Sequence, residues 1–150
     1  MSEFRQTDAY QITWLTRRLF RAMADKADSY LKPLGVAAAD RAVLEFLYPD
    51  KALTVPEIAK RYNVSRQHVQ VTVNPLLEAG LLGQRPNPAH KRSPHMLLTA
   101  KGRKLFDRIR RHDQRAIEEL FAGVPAKAQQ QTRITLAKLL AKLESEGEPS

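Results

Sequence analysis

The chain has 150 residues, 43% of them hydrophobic, which is the length and apolar content of one ordinary domain and argues against disorder throughout. It has no cysteine, which excludes disulfides, thiolate metal sites and thiol redox sensing. Its net charge of +9 points to a polyanionic partner, because a basic surface attracts phosphate and releases counterions.

From about Thr7 to Leu31 the residues Tyr10, Trp14, Leu15, Leu19, Met23, Ala27 and Tyr30 recur at helical spacing, predicting a long helix that ends at LKPLG. A second helix, about Ala38 to Tyr48, carries Val43, Leu44 and Leu47 on one face and is closed by PDKA. Thr54 and Glu57 have the spacing of a capping box. Pro56 follows in the first turn, where its missing N–H is harmless, so a short helix of about Val55 to Tyr62 is expected. Asn63 tolerates left-handed backbone angles and makes the turn. Ser65 then caps a helix with Val69, Val73, Leu76 and Leu77 inward and a stop at Gly80. Pro75 lies inside it and costs one hydrogen bond, the one to the carbonyl of Val71; since Val71 faces away from the core, one helix bent near Val71 to Pro75 is expected.

LLGQR and HMLL predict two extended stretches around PNPAHKRSP, a basic loop too long for a tight hairpin turn, with Gly83 as a bulge. Thr99 caps a long helix to about Phe121, with Leu105, Ile109, Ala116, Ile117 and Leu120 inward and Gly102 on the surface. AGVP breaks the chain. A last helix from about Ala126 to Glu144 shows Ile134, Leu136, Leu139, Leu140 and Leu143, and SEGEPS reads as a frayed tail. The expected class is mainly α with a small two- or three-stranded β wing.

Two short helices joined by a tight turn, followed by a basic hairpin, have the layout of a winged helix-turn-helix, whose second helix enters the major groove with its N-terminal residues toward base edges. Opposite the buried face of that helix lie Arg66, Gln67, Gln70, Val71 and Asn74. Arg can pair with guanine, Gln and Asn with adenine, and Val can touch a thymine methyl. Ser65, Thr54 and Lys60 are placed for phosphate, which positions without specifying sequence. Between Arg85 and Arg115 stand ten Lys and Arg against two acids, Asp107 and Asp113, so this stretch holds eight of the nine net positive charges. Nucleic-acid contact is expected there.

The chain resembles the MarR family of dimeric winged-helix transcription regulators. The matching stretches are ADRAVLEFL, TVPEIAKRYNVSRQHV, EAGLL, RPNPAHKRS and LTAKGRKL. The resemblance implies a homodimer joined by terminal helices, about 7–36 and 122–146, around a winged-helix region of about 37–121. Each lobe would read half of a palindromic operator in double-stranded DNA. It assigns recognition to Ser65, Arg66, Gln67, His68, Gln70 and Val71, and the minor groove to Lys91 and Arg92, with Arg85, His90 and Ser93 beside them in the wing. Two departures are visible. The family often has Asp before Arg-Arg at the wing tip, where the carboxylate steadies an arginine; His90-Lys91-Arg92 stands here, leaving the hold on Arg92 open. An Arg is common where this chain has Val71, which points to a different operator.

The resemblance also implies a small aromatic or carboxylate ligand. Its walls would come from Tyr10, Trp14, Phe20, Met23, Phe46 and Tyr48, with Arg17 or Arg18 for the carboxylate and His112 as a partly buried polar group; dimer core is the alternative for these residues. The four histidines lack metal-ligand spacing, so no metal and no cofactor is expected. No G-x-S-x-G, Walker loop or H-E-x-x-H occurs, and no enzyme is expected. The opening MSEFRQTDAYQITW lacks the layout of a signal peptide and no run of about 18 apolar residues offers a membrane span, so a cytoplasmic protein is expected. The expected function is a repressor acting by occlusion. A weakly specific architectural DNA-binding protein, or a dimeric protein-interaction module on the same scaffold, is the alternative.

Overall fold

A computed structural model of the chain describes residues 2–147, and the chain divides into two compact units, 1–110 and 111–150. The first unit opens with a short helix α1 (Ser2–Arg5) that the sequence reading lacked, followed by α2 (Asp8–Leu31). Thr7 caps α2, its side chain accepting from the Tyr10 N–H at 3.3 Å. A 3-10 turn, Lys32–Leu34, closes on Gly35 at φ 71° and leads to α3 (Ala38–Leu47). No hydroxyl caps α3; the Asp40 carboxylate instead accepts from the Ala37 N–H at 2.8 Å.

Then come β1 (Leu53–Thr54), α4 (Val55–Tyr62), α5 (Arg66–Glu78), β2 (Leu82–Arg85), β3 (His95–Leu98) and α6 (Ala100–Leu120). The strands form one antiparallel sheet in the order β1-β3-β2, with Leu53 opposite Met96 and Leu82 through Arg85 opposite Leu98 through His95. Strand periodicity turns Leu82, Met96 and Leu98 inward. They join Leu31, Val43, Leu44, Leu47, Ile58, Val69, Val73, Leu76, Phe106 and Ile109 in one core. At about 1.5–3 kcal/mol per fully buried large apolar side chain, this cluster holds the end of α2, α3, α4, α5, the first part of α6 and the sheet together.

Helix α5 runs unbroken through Pro75 and leaves Val71 67% exposed. Its inward face differs from expectation in one respect: Thr72 is buried, its hydroxyl donating to the His68 carbonyl at 3.1 Å, while Leu77 is half-buried. That bond satisfies the hydroxyl within the helix, which lets a polar residue occupy a core position. The end of α5 is a Schellman closure, with Gly80 at φ 73°, the Leu81 N–H bonding the Leu76 carbonyl and the Gly80 N–H bonding the Leu77 carbonyl, each at 3.0 Å.

Two glycine readings are corrected. Gly83 is no bulge; it sits in register opposite Leu97 in a regular ladder. Gly102 is not on the surface but buried at the first turn of α6, where a Cβ would overlap the Leu81 carbonyl oxygen.

The second unit contains the later part of α6 and α7 (Ala126–Glu146), separated by a turn with Gly123 at φ 81°. No residue from Arg111 to Gly147 is buried. The expectation that Ala116, Ile117 and Leu120 are covered within the chain is therefore corrected: Ala116 is half-buried and the other two are exposed. Helical periodicity shows which face is apolar, not what lies against it. The supposed tail is helical through Glu146, and residues 148–150 of it lie outside the described residues.

Replacing Gly102 by Ala should destabilise the protein by about 1–3 kcal/mol in urea unfolding at fixed protein concentration, because backbone must move to admit the methyl. The same change at Gly83, where a Cβ would meet only Thr99 Cγ2 at 3.8 Å, should be neutral within about 0.5 kcal/mol or stabilising. Equal losses at both sites would contradict the close approach at Gly102.

Candidate nucleic-acid interface

The capping box of α4 is present in full. Thr54 Oγ1 accepts from the Glu57 N–H at 3.3 Å, and the Glu57 carboxylate accepts from the Thr54 N–H at 2.8 Å. Asn63 stands at φ 55°, the left-handed angle the turn demands, and the Val64 N–H reaches back to the Ala59 carbonyl at 3.1 Å. Two residues later Ser65 Oγ accepts from the His68 N–H at 3.0 Å and starts α5. With Ile58 and Ala59 of α4 and Val69 and Val73 of α5 buried, the turn fixes the two helices against each other.

The outer face of α5 is consequently polar and open. Arg66, Gln67, Gln70 and Asn74 are all exposed, and Val71 among them has no apolar neighbour to cover it. Gln70 Nε2 donates to Asn74 Oδ1 at 2.6 Å, which sets the orientation of both amides before anything binds. Ser65 is exposed, and its hydroxyl hydrogen remains available beyond the cap. His68 is exposed but lies beside α4: its ring centroid is 6.2 Å from that of Tyr62, which in turn meets Phe46 edge-on at 6.0 Å. Tyr62, which the sequence reading did not single out, thus links α3 to the start of α5. Of the two expected phosphate contacts, Lys60 is exposed on α4, whereas Thr54 is 7% exposed, its hydroxyl buried at the cap where it accepts from the Glu57 N–H. That corrects Thr54, which the structure makes a helix-starting residue.

The hairpin is built from β2 and β3. Arg85 ends β2 opposite His95 and is exposed. The connecting residues 86–94 form two consecutive turns, the His90 N–H bonding the Asn87 carbonyl at 3.2 Å and the Ser93 N–H bonding the His90 carbonyl at 3.0 Å. Lys91 and Arg92 occupy the two central positions of the second turn, exposed together with His90, and Ser93 is half-buried. Asn87 is also half-buried, its amide group donating to the Ser93 carbonyl at 3.0 Å and accepting from the Ala89 N–H at 3.3 Å. Sequence reading missed Asn87, although Asn-Pro is a turn signal.

The end of α5 is tied to the start of α6. The Thr99 hydroxyl donates to the Gly80 carbonyl at 2.6 Å and accepts from the Gly102 N–H at 3.1 Å, and Lys101 Nζ donates to the Ala79 carbonyl at 2.8 Å. Thr99 is therefore a cap, as expected, and a brace as well.

The expected ligand residues do not all meet. Tyr10, Trp14 and Arg17 line one hollow of about 280 Å³ with Phe4, Ala9 and Thr13, and the Arg18 guanidinium lies 4.7 Å from the Trp14 ring centroid. Tyr48 does not line it. Its hydroxyl donates to Asp107 Oδ1 at 2.8 Å and accepts from Arg110 Nη1 at 2.7 Å, with its ring against Phe106, so it fastens the end of α3 to α6. His112 belongs to the second unit, half-buried, with Nδ1 3.9 Å from Asp113 Oδ1.

A family model described as the MarR family matches residues 34–93, which run from the end of the 3-10 turn into the loop between β2 and β3. An uncharacterized protein of Mycobacterium tuberculosis is 40% identical over 100 residues, 65% of this chain and 68% of that protein. An HTH-type transcriptional repressor of the same organism is 25% identical over 132 residues, 88% of this chain and 95% of the relative. Among solved structures, Streptococcus pneumoniae FabT in complex with DNA has the same fold, with a TM-score of 0.82 at 18% identity over 92% of this chain and 99% of that one.

Proposed function

Because the chain belongs to the MarR family, whose members are transcription regulators and not enzymes, we propose that it is a sequence-specific DNA-binding regulator, a homodimeric repressor of a palindromic operator. The observation that carries this reading is the outer face of α5, capped at Ser65 and exposing Arg66, Gln67, Gln70, Val71 and Asn74 with no role in the core. Arg66 offers a bidentate donor for guanine, and the amide pair Gln70–Asn74 offers adenine readout. Ser65 and Lys60 would meet phosphates, as would His68 where its ring clears Tyr62. Arg85, His90, Lys91, Arg92 and Ser93 would meet the neighbouring minor groove and backbone. The DNA complex of FabT and the repressor name of the mycobacterial relative support the DNA-binding regulator reading, not the individual contacts. Among the described residues no helix is long and apolar enough to cross a membrane, and a cytoplasmic location accords with a DNA-bound role.

Dimerisation is supported in each unit separately. On α2, Ile12, Leu15, Leu19 and Met23 form an exposed stripe; on α7, Leu136, Leu139, Leu140 and Leu143 form another. Each large apolar side chain left in water forgoes about 1.5–3 kcal/mol. A second copy of the chain, meeting these faces through the 7–36 and 122–146 segments, recovers it. Repression then follows by occlusion, with two recognition helices about 34 Å apart in successive major grooves. The hollow beside Tyr10, Trp14 and Arg17 suits an aromatic carboxylate, whose ring would lie among the aromatic walls and whose charge would meet Arg17. Such a ligand would relieve repression in proportion to its preference for a dimer that cannot span the operator.

Selection of duplexes from a random pool should return an inverted repeat with half-sites near one helical turn apart; uniform recovery with a steep salt slope sinks the specific reading in favour of an architectural one. On the selected site, Gln67→Ala should cost on the order of 1 kcal/mol or more and relax one base position, while Lys60→Ala should weaken all sequences alike and lower the salt slope by about one. Sedimentation should give twice the 17.0 kDa chain mass for the wild type and the single mass for Leu139→Asp with helix content retained; a monomeric wild type refutes the dimer. The emission of Trp14, the one tryptophan, should respond to benzoate in the wild type and not in Arg17→Ala, and no response in either excludes that probe's class from the hollow.

A further inference from the structure

The wing lacks the carboxylate that the family often places at its tip, yet the loop is closed. Pro86, Pro88 and Pro94 fix φ at three of its nine positions and remove three N–H donors. Of the remaining donors, those of Ala89, His90 and Ser93 are spent inside the loop. Asn87 stands at the first position of a turn with Pro88 second, the arrangement that a type I turn favours. Its Oδ1 holds the Ala89 N–H within that turn, and its Nδ2 crosses to the Ser93 carbonyl, which ends the next one. One side chain therefore clamps both turns, and the residues caught between its two ends are His90, Lys91 and Arg92, all exposed, the last two at the tip.

We propose that Asn87 is a positioning residue of the DNA-binding wing: it does not touch DNA, but locks the double turn so that Lys91 and Arg92 are presented together at fixed separation. In this chain a neutral side-chain clamp on the loop's own backbone replaces a charged one on an arginine. The clamp keeps its full donor capacity when DNA phosphate approaches, because neither of its bonds uses a charge that the phosphates would repel. The inference rests on the DNA-binding reading of the wing.

Two measurements separate the clamp from that reading. In the free protein, amide hydrogen exchange at His90 and Ser93 should quicken on the order of tenfold or more in Asn87→Ala, and the Ser93 amide likewise in Asn87→Asp, which keeps the acceptor and loses the donor. Melting temperature should stay within about 2 °C, since the loop lies outside the core. On the selected duplex, Asn87→Ala should weaken binding on the order of tenfold in the wild type and less than about twofold in a Lys91→Ala, Arg92→Ala background, with the salt slope falling toward that of the double variant. Equal weakening in both backgrounds makes Asn87 a direct contact and overturns the proposal, as does unchanged exchange. A wild type that binds no duplex overturns the functional reading and with it the wing's role, while the exchange data still decide whether Asn87 closes the turns.

Discussion

The first unit turns on the close approach between the backbone leaving α5 and the backbone entering α6. At Gly102 the two chains come so near that a methyl group has no room beside the Leu81 carbonyl. Around that point the Thr99 hydroxyl bonds both sides, its N–H takes the Leu81 carbonyl at 3.1 Å, and Lys101 covers the Ala79 carbonyl. The carbonyls of Ala79, Gly80 and Leu81, just past the end of α5, are thereby satisfied by the residues that start α6. Since β2 begins at Leu82 and β3 ends at Leu98, the same few bonds set where the hairpin leaves the body. The end of α5 and the base of the hairpin are one constraint seen from two sides.

What could be read in advance divides along a physical line. Helix starts and stops at Thr7, Thr54, Asn63, Ser65 and Gly80 were legible because a cap is made by residues within three or four positions of each other. The outer face of α5 was legible for the same reason, its period being local. β1 was not, since two residues carry no period and their partners, Met96 and His95, lie some forty positions on. Nor was the burial of Gly102, whose neighbour Leu81 belongs to a different element. The apolar stripe in the later part of α6 was correctly seen as a stripe and wrongly read as buried, because sequence shows that a face must be covered without showing by what. Tyr48 was placed with Trp14 on the family resemblance and its aromatic type, whereas its hydroxyl is drawn to Asp107 and Arg110.

Pro75 illustrates how a local rule yields to context. A proline inside a helix normally removes a bond and crowds the turn before it, at a cost of roughly 3 kcal/mol. Here the turn before it is the outward side of α5, where Val71 is open to solvent, while Val73 and Leu76 on either side of the proline are buried. Core packing on one face holds the helix together, and water can serve the carbonyl on the other. Thr72, bonded back to His68, eases the same stretch from within.

The prolines that flank β2 and β3 have one more consequence, for the fate of the protein in a crowded solution. A sheet of order β1-β3-β2 has two open edges, each a row of backbone groups that another chain can pair with. The first edge is β1, two residues long and too short to act as a template. The second is β2, which carries a charged Arg85 and then meets Pro86, a residue with no N–H to offer a neighbour. The loop chemistry that shapes the hairpin tip thus also guards against edge-to-edge aggregation, and a wing relieved of Pro86 would gain length along the strand most able to recruit its own kind.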